Sequence, residues 1–147
     1  MRSVLLLVVV VTLIQMMAGS STRISGCVRV ISAGVPSAVG CYVSQPASLI
    51  PEKFSDVCRK ARWDPAAMWT QLTTGEHSWF LKEDTGGFIY YNAGDGKWWL
   101  DGDDGLGLYI APANDLSPGL PPITGWKELK EASLPLPTIS IEKDAEL

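Results

Sequence analysis

Four aspartates fall within ten positions, Asp95, Asp101, Asp103 and Asp104, all of them in glycine-rich turns. Acidic loops of this kind supply oxygen ligands to calcium, which takes about six to eight of them. An EF-hand requires Asp-x-Asp-x-Asp-Gly with a glutamate closing the loop, and this register fails. Asp101, Asp103 and Asp104 therefore stand only as a generic calcium site. Paired carboxylates can also act as acid and nucleophile on a glycosidic bond, but neighbours in one turn rarely span a cleft. The plainer reading, a solvated Asp/Gly turn, is preferred. The single histidine, His77, sits beside Glu76 just before a strand and reads as structural or exposed. Cys58 is flanked by Arg59 and Lys60, which lower a thiol pKa, but the only histidine is remote in sequence. Gly105-x-Gly107 is no phosphate loop, since neither a helix nor a lysine follows in place. No Asn-x-Ser/Thr acceptor begins at Asn92 or Asn114.

The aromatic residues carry more. Eight of the thirteen lie between Trp79 and Tyr109. Successive side chains on a strand point to opposite faces, so Tyr90 and Tyr91 divide between faces, as do Trp98 and Trp99. One of each pair builds the core while the other is held near the surface, where rings stack on sugars or grip a peptide. Trp79, Tyr90, Tyr91, Trp98, Trp99 and Trp126 are the candidate binding residues, with a glycan or a protein as ligand. Pro121-Pro122 with Trp126 reads as a proline–aromatic clasp that closes the domain.

The elements that position these residues follow from turn chemistry. Strand-like segments recur at Cys27–Ser32, Gly40–Ser44, Ser78–Lys82, Phe88–Asn92, Lys97–Asp101, Leu106–Ala111 and Thr138–Ile141, rich in β-branched and aromatic residues. Glu83–Gly87, Asn92–Gly96 and Asp101–Gly105 are turn signals between them, so three consecutive hairpins are expected from 78 to 111. Residues 46–74 break the pattern. Phe54, Val57, Cys58 and Ala61 fall at helical spacing, and Asp64-Pro65 combines a capping carboxylate with proline at the first helical position. The second helix would present Met68, Trp69 and Leu72. The tail from Leu134 runs extended, proline disfavouring helix at and before itself, and residues 142–147 read as a flexible polar tail.

Length and composition limit the class. The chain has 147 residues with 16 acidic and 12 basic, a net charge of −4, and charged residues make up 19%. That balance excludes a disordered polyampholyte and lacks the positive field that nucleic acid or an anionic membrane surface requires. One histidine and three cysteines exclude a multi-histidine metal site.

Arg2, the apolar run Val4–Ile14 and the small residues of Met17–Ser21 form the order of a secretory signal, with cleavage placed after Ser20. The run is short of the roughly 20 residues of a spanning helix, and no later segment spans. Secretion implies an oxidising compartment. Cys27 and Cys41, on two strands joined by a Gly/Pro/Ser loop, are the favoured intrachain pair, with Cys41–Cys58 an alternative. Cys58 is then free or pairs between chains, which makes a disulfide-linked dimer one reading. Lys143-Asp144-Ala145-Glu146-Leu147 interrupts a retrieval tetrapeptide with alanine, so an extracellular destination is preferred to retention in the endoplasmic reticulum.

Val30–Gly34 followed by Gly40-Cys41-Tyr42-Val43 resembles the opening of a small β-rich module scattered through algal and other protist proteins, often beside unrelated domains. The resemblance continues through Phe80-Leu81-Lys82, Ile89-Tyr90-Tyr91-Asn92, Gly96–Asp101, Gly107-Leu108-Tyr109, Pro121-Pro122-x-x-Gly125-Trp126 and Pro135-x-Pro137-Thr138. It covers roughly 28–141. No activity is attached to that module, so the resemblance implies no catalytic residues. The departure is 46–74, longer than the module's usual link and containing Cys58.

These readings define an all-β protein: a signal at 1–20, then a single compact antiparallel domain at 21–141. It has seven or eight short strands, as a sandwich or partly closed barrel, with the helical insertion at 46–74. The expected function is a secreted, non-catalytic binding module with no cofactor beyond the calcium reading. The alternatives are a structural or cell-surface protein assembling through the spare cysteine, and a small hydrolase using the Asp101–Asp104 loop.

Overall fold

The computed structural model describes residues 26–130 and 134–143; the signal expected at 1–20 and residues 144–147 of the polar tail lie outside them. Among the described residues eight strands form one antiparallel sheet that curls into a half-barrel. They are β1 (Gly26–Ser32), β2 (Gly40–Gln45), β3 (Trp79–Leu81), β4 (Phe88–Asn92), β5 (Lys97–Asp101), β6 (Gly107–Pro112), β7 (Lys127–Glu128) and β8 (Thr138–Lys143). The order across the sheet is β7-β6-β5-β4-β3-β2-β1-β8, a meander whose last strand returns to the first. The three hairpins expected between 78 and 111 are all present, with Tyr90 opposite Trp99 and Tyr91 opposite Trp98. Strand β8 extends two residues beyond the expected Ile141. Glu142, which reads as the start of a loose tail, pairs with Cys27, and its carboxylate accepts from Arg29 Nη2 at 3.0 Å.

Helices α1 (Glu52–Lys60) and α2 (Pro65–Thr73) occupy the insertion. In α1 Glu52 stands in the first turn and Arg59 and Lys60 in the last, each sign matched to the helix dipole. In α2 the Asp64 carboxylate accepts from Ala66 N at 3.2 Å and Pro65 follows it, as the sequence predicts.

Strand alternation divides the interior in two. Residues facing into the curl, among them Val28, Tyr42, Phe80, Ile89, Leu100 and Tyr109, form the larger core. Trp126 closes it, its Nε1 donating to the Pro122 carbonyl at 2.9 Å, so the proline–aromatic clasp is made. The opposite face of β3 and β4 carries Trp79, Phe88 and Tyr90, and Phe54, Cys58 and Trp69 of the helices cover it. Gly105 shows how closely α1 is seated: with φ at +78°, a Cβ there would lie 2.5 Å from the Lys53 carbonyl oxygen.

Cys27 and Cys41 form a disulfide across β1 and β2, with Cα atoms 5.6 Å apart. Cys58 is free and buried, 2% exposed. Burial, reinforced by the Asp64 carboxylate, pushes its thiol up against the opposing pull of Arg59. A disulfide between chains through Cys58 therefore requires the helices to move off the sheet. No helix among the described residues is long and apolar enough to cross a membrane.

Candidate functional site

Each of the six candidate aromatics has a defined place. Trp79 and Tyr90 lie under the helices, Trp98 and Trp126 in the curled core, and all four are buried. Tyr91 and Trp99 are partly exposed. One ring of each pair is thus buried and the other partly exposed, while the curl covers one side of the sheet and the helical pair the other. Trp99 lies against the surface, its Nε1 donating to Asp95 Oδ2 at 2.9 Å. Its ring crosses Gly107, where a Cβ would stand 3.0 Å from the indole carbons.

The structure instead gathers aromatics into a cleft at one end of the curl. Tyr91 and Trp98, neighbours across β4 and β5, have ring centroids 5.6 Å apart. His77, just before β3, sets its ring edge-on to Tyr91 at 4.8 Å and 72°. The loop after β6 supplies the other wall through Ala113, Asn114, Asp115, Ser117, Pro118 and Gly119. Two turns shape this loop, with Ser117 N donating to the Asn114 carbonyl and Leu120 N to that of Ser117. Asn114 Oδ1 accepts from Leu116 N at 2.9 Å, an Asx turn that fixes the start of the loop. The cleft holds about 240 Å³. At the other end of the curl Lys82 is buried and its Nζ lies 2.9 Å from Asp84 Oδ1, holding the Asp84 carboxyl below the usual carboxylate range.

The Asp loop is a different environment. Asp103 and Asp104 are exposed, and Asp104 Oδ1 accepts from Leu106 N at 2.9 Å. Asp101 is 4% exposed and stands opposite Phe88, on the helix-covered side, with Oδ1 lacking a hydrogen-bond partner. The three carboxylates do not converge, and among the described residues no group of three or more His, Cys, Asp or Glu side chains forms a metal site. Burial, and secondarily the Asp104 charge, raises the Asp101 pKa well above the carboxylate range. Burial followed by the Asp101 and Asp95 charges raises the neighbouring Tyr90 phenol.

This has a signed effect on stability. The folded-state pKa of Asp101 exceeds its unfolded value of about 3.9, so the side chain imposes no ionisation cost below about pH 4. The cost grows as pH rises from there through the folded value, because the unfolded state releases the proton first. Asp101→Asn removes that term. The stability of Asp101→Asn relative to the natural protein is expected to improve as pH rises from 4 to 7. Urea titrations at the two pH values measure it, and a difference that does not change with pH contradicts it.

Taken together, the fold and cleft define a disulfide-linked, curled β-sheet domain with a small aromatic-walled recess. No protein-family model, curated protein or solved structure matches the chain. Tyr91 and Trp98, candidates from the sequence, line this cleft, whereas His77 and the 113–119 loop were not among the sequence candidates for binding. The available signal was the long Pro/Gly/Asn/Asp/Ser stretch between β6 and β7, since loops of that length are often functional.

Proposed function

We propose that this protein is a secreted, non-catalytic binding module that takes part of a glycan into the cleft formed by His77, Tyr91, Trp98 and the 113–119 loop. The observation that carries this reading is the make-up of the cleft's two walls: the aromatic residues His77, Tyr91 and Trp98 on one, and a loop carrying Asn114, Asp115 and Ser117 on the other. Sugars present the same division, an apolar face of C–H groups and a rim of hydroxyls, and aromatic walls with a few placed polar groups are what small-ligand sites use. The leader-like segment at 1–20 and the Cys27–Cys41 disulfide support a secretory setting. The hydrolase alternative is less well supported, because Asp101 lies under the helices rather than in the cleft.

A glycan array read with the purified protein tests the proposal. Tyr91→Ala is expected to weaken any hit about tenfold or more, the effect of truncating an aromatic anchor. Trp63→Ala provides the control: Trp63 is 55% exposed but lies between the helices, outside the cleft. A blank array, or hits lost in Trp63→Ala and kept in Tyr91→Ala, would remove the cleft from the function.

A further inference from the structure

We infer that the sugar unit entering the cleft is a single residue carrying a free ammonium group, an amino sugar rather than a neutral or acidic one. This rests on the glycan reading above and sharpens it to a ligand class.

Size comes first. At about 240 Å³ the recess falls below the roughly 300–1,000 Å³ of sites that bury a drug-sized ligand. It accommodates one ring. Charge comes second. Among the described residues, no lysine or arginine lines the cleft, and its one carboxylate is Asp115. A uronate or sulfated sugar would find a repelling charge and no cationic partner. Third, Tyr91 is a half-exposed ring of the cleft wall, and an organic cation seated over its face is attracted by the ring quadrupole. Wall and carboxylate thus both favour a positive group. The surrounding field has the same sign, with a net charge of −4 and an isoelectric point near 4.9, and it steers a polycationic glycan toward the protein. Asn114 and Ser117 then distinguish an amino sugar from a bare alkylammonium headgroup, because they offer hydrogen-bonding groups that only a hydroxylated ring uses.

Asp115 is solvent-exposed, so its contribution is that of a screened surface pair, up to about fivefold in affinity. An exposed cation–π contact adds a comparable factor. The full-length protein is titrated calorimetrically at pH 7 with three β-1,4-linked tetramers: glucosamine, N-acetylglucosamine and glucuronic acid. N-acetylation keeps the ring and removes the charge. The glucosamine tetramer is expected to bind about tenfold more tightly than its acetylated counterpart, and the glucuronic acid tetramer not at all. Asp115→Asn is expected to lower glucosamine affinity more than N-acetylglucosamine affinity, narrowing the gap between the two by up to about fivefold, and the glucosamine preference to shrink as salt is raised. Equal affinity for the charged and acetylated tetramers, or measurable binding of the glucuronic acid tetramer, overturns the inference. If neutral glycans on the array bind in a Tyr91-dependent manner while glucosamine shows no advantage, the amino-sugar assignment alone falls. If no glycan of any class binds, the assignment and the binding reading fall together.

Discussion

Trp69→Ala is expected to cost about 3–5 kcal/mol, the range for deleting a buried indole. That is a large part of the roughly 5–15 kcal/mol that holds an ordinary domain together. Trp69 joins the helices to the sheet. Its ring lies 5.0 Å from Phe54 of α1, 6.2 Å from Trp79 of β3 and 5.3 Å from Tyr90 of β4. Alanine removes the shared contact of all three rings at once, and the cavity lies where α1 and α2 meet the sheet. The curled core on the other side of the sheet has its own residues, so the loss is concentrated in the helical pair, which opens first. Cys58 reports on that opening. Buried and with its thiol pushed up, it is expected to resist a thiol reagent in the natural protein and to react in Trp69→Ala under the same conditions. A Trp69→Ala protein with a urea midpoint close to the natural one and an unreactive Cys58 would show that the helices are held by something else.

The second large effect belongs to the Cys27–Cys41 bond. It closes a loop of sequence separation 14, for which the chain-entropy account gives about 3 kcal/mol. Cys41 pairs with Arg29 and Cys27 with Val43, so the bond runs diagonally across β1 and β2. Replacing both cysteines with serine is expected to lower unfolding stability by about that amount while the sheet still forms. The remaining thiol, Cys58, is unchanged, which separates this effect from mispairing. Equal thermal midpoints for the double serine variant and the oxidised protein would contradict it.

Much of this architecture is readable from the amino acids. The hairpins follow from Asp/Gly and Asn/Gly clusters, because few residues tolerate the left-handed backbone seen at Gly86, Gly96 and Gly105. The start of α2 is announced by Asp64-Pro65, a cap that is local chemistry. Strand β7 is different: Lys127 and Glu128 have no apolar alternation, and they form a strand only because Tyr109 and Ile110 of β6 offer a free edge. Glu142 was equally opaque, since its partner Arg29 is 113 positions away. The candidate site suffered most from this limit. Alternation correctly divides Tyr90 from Tyr91 and Trp98 from Trp99, but it does not say what covers each side. Burial of Tyr90 depends on a helix contributed from elsewhere in the chain. The cleft itself joins His77 to residues 113–119, a juxtaposition made by sheet curvature and loop path rather than by any local pattern.

The antiparallel pairing of β1 with β8 sets Gly26 directly opposite Lys143. The polypeptide therefore enters and leaves this fold about one inter-strand spacing apart, roughly 5 Å. A unit with such neighbouring ends can be spliced into a surface loop of an unrelated host without stretching either junction. It can also be re-cut, joining the old ends by a short linker and opening a new start at an exposed turn such as 103–104. The cleft lies near the 92–97 hairpin and the 113–119 loop, so either rearrangement leaves its walls on uninterrupted chain.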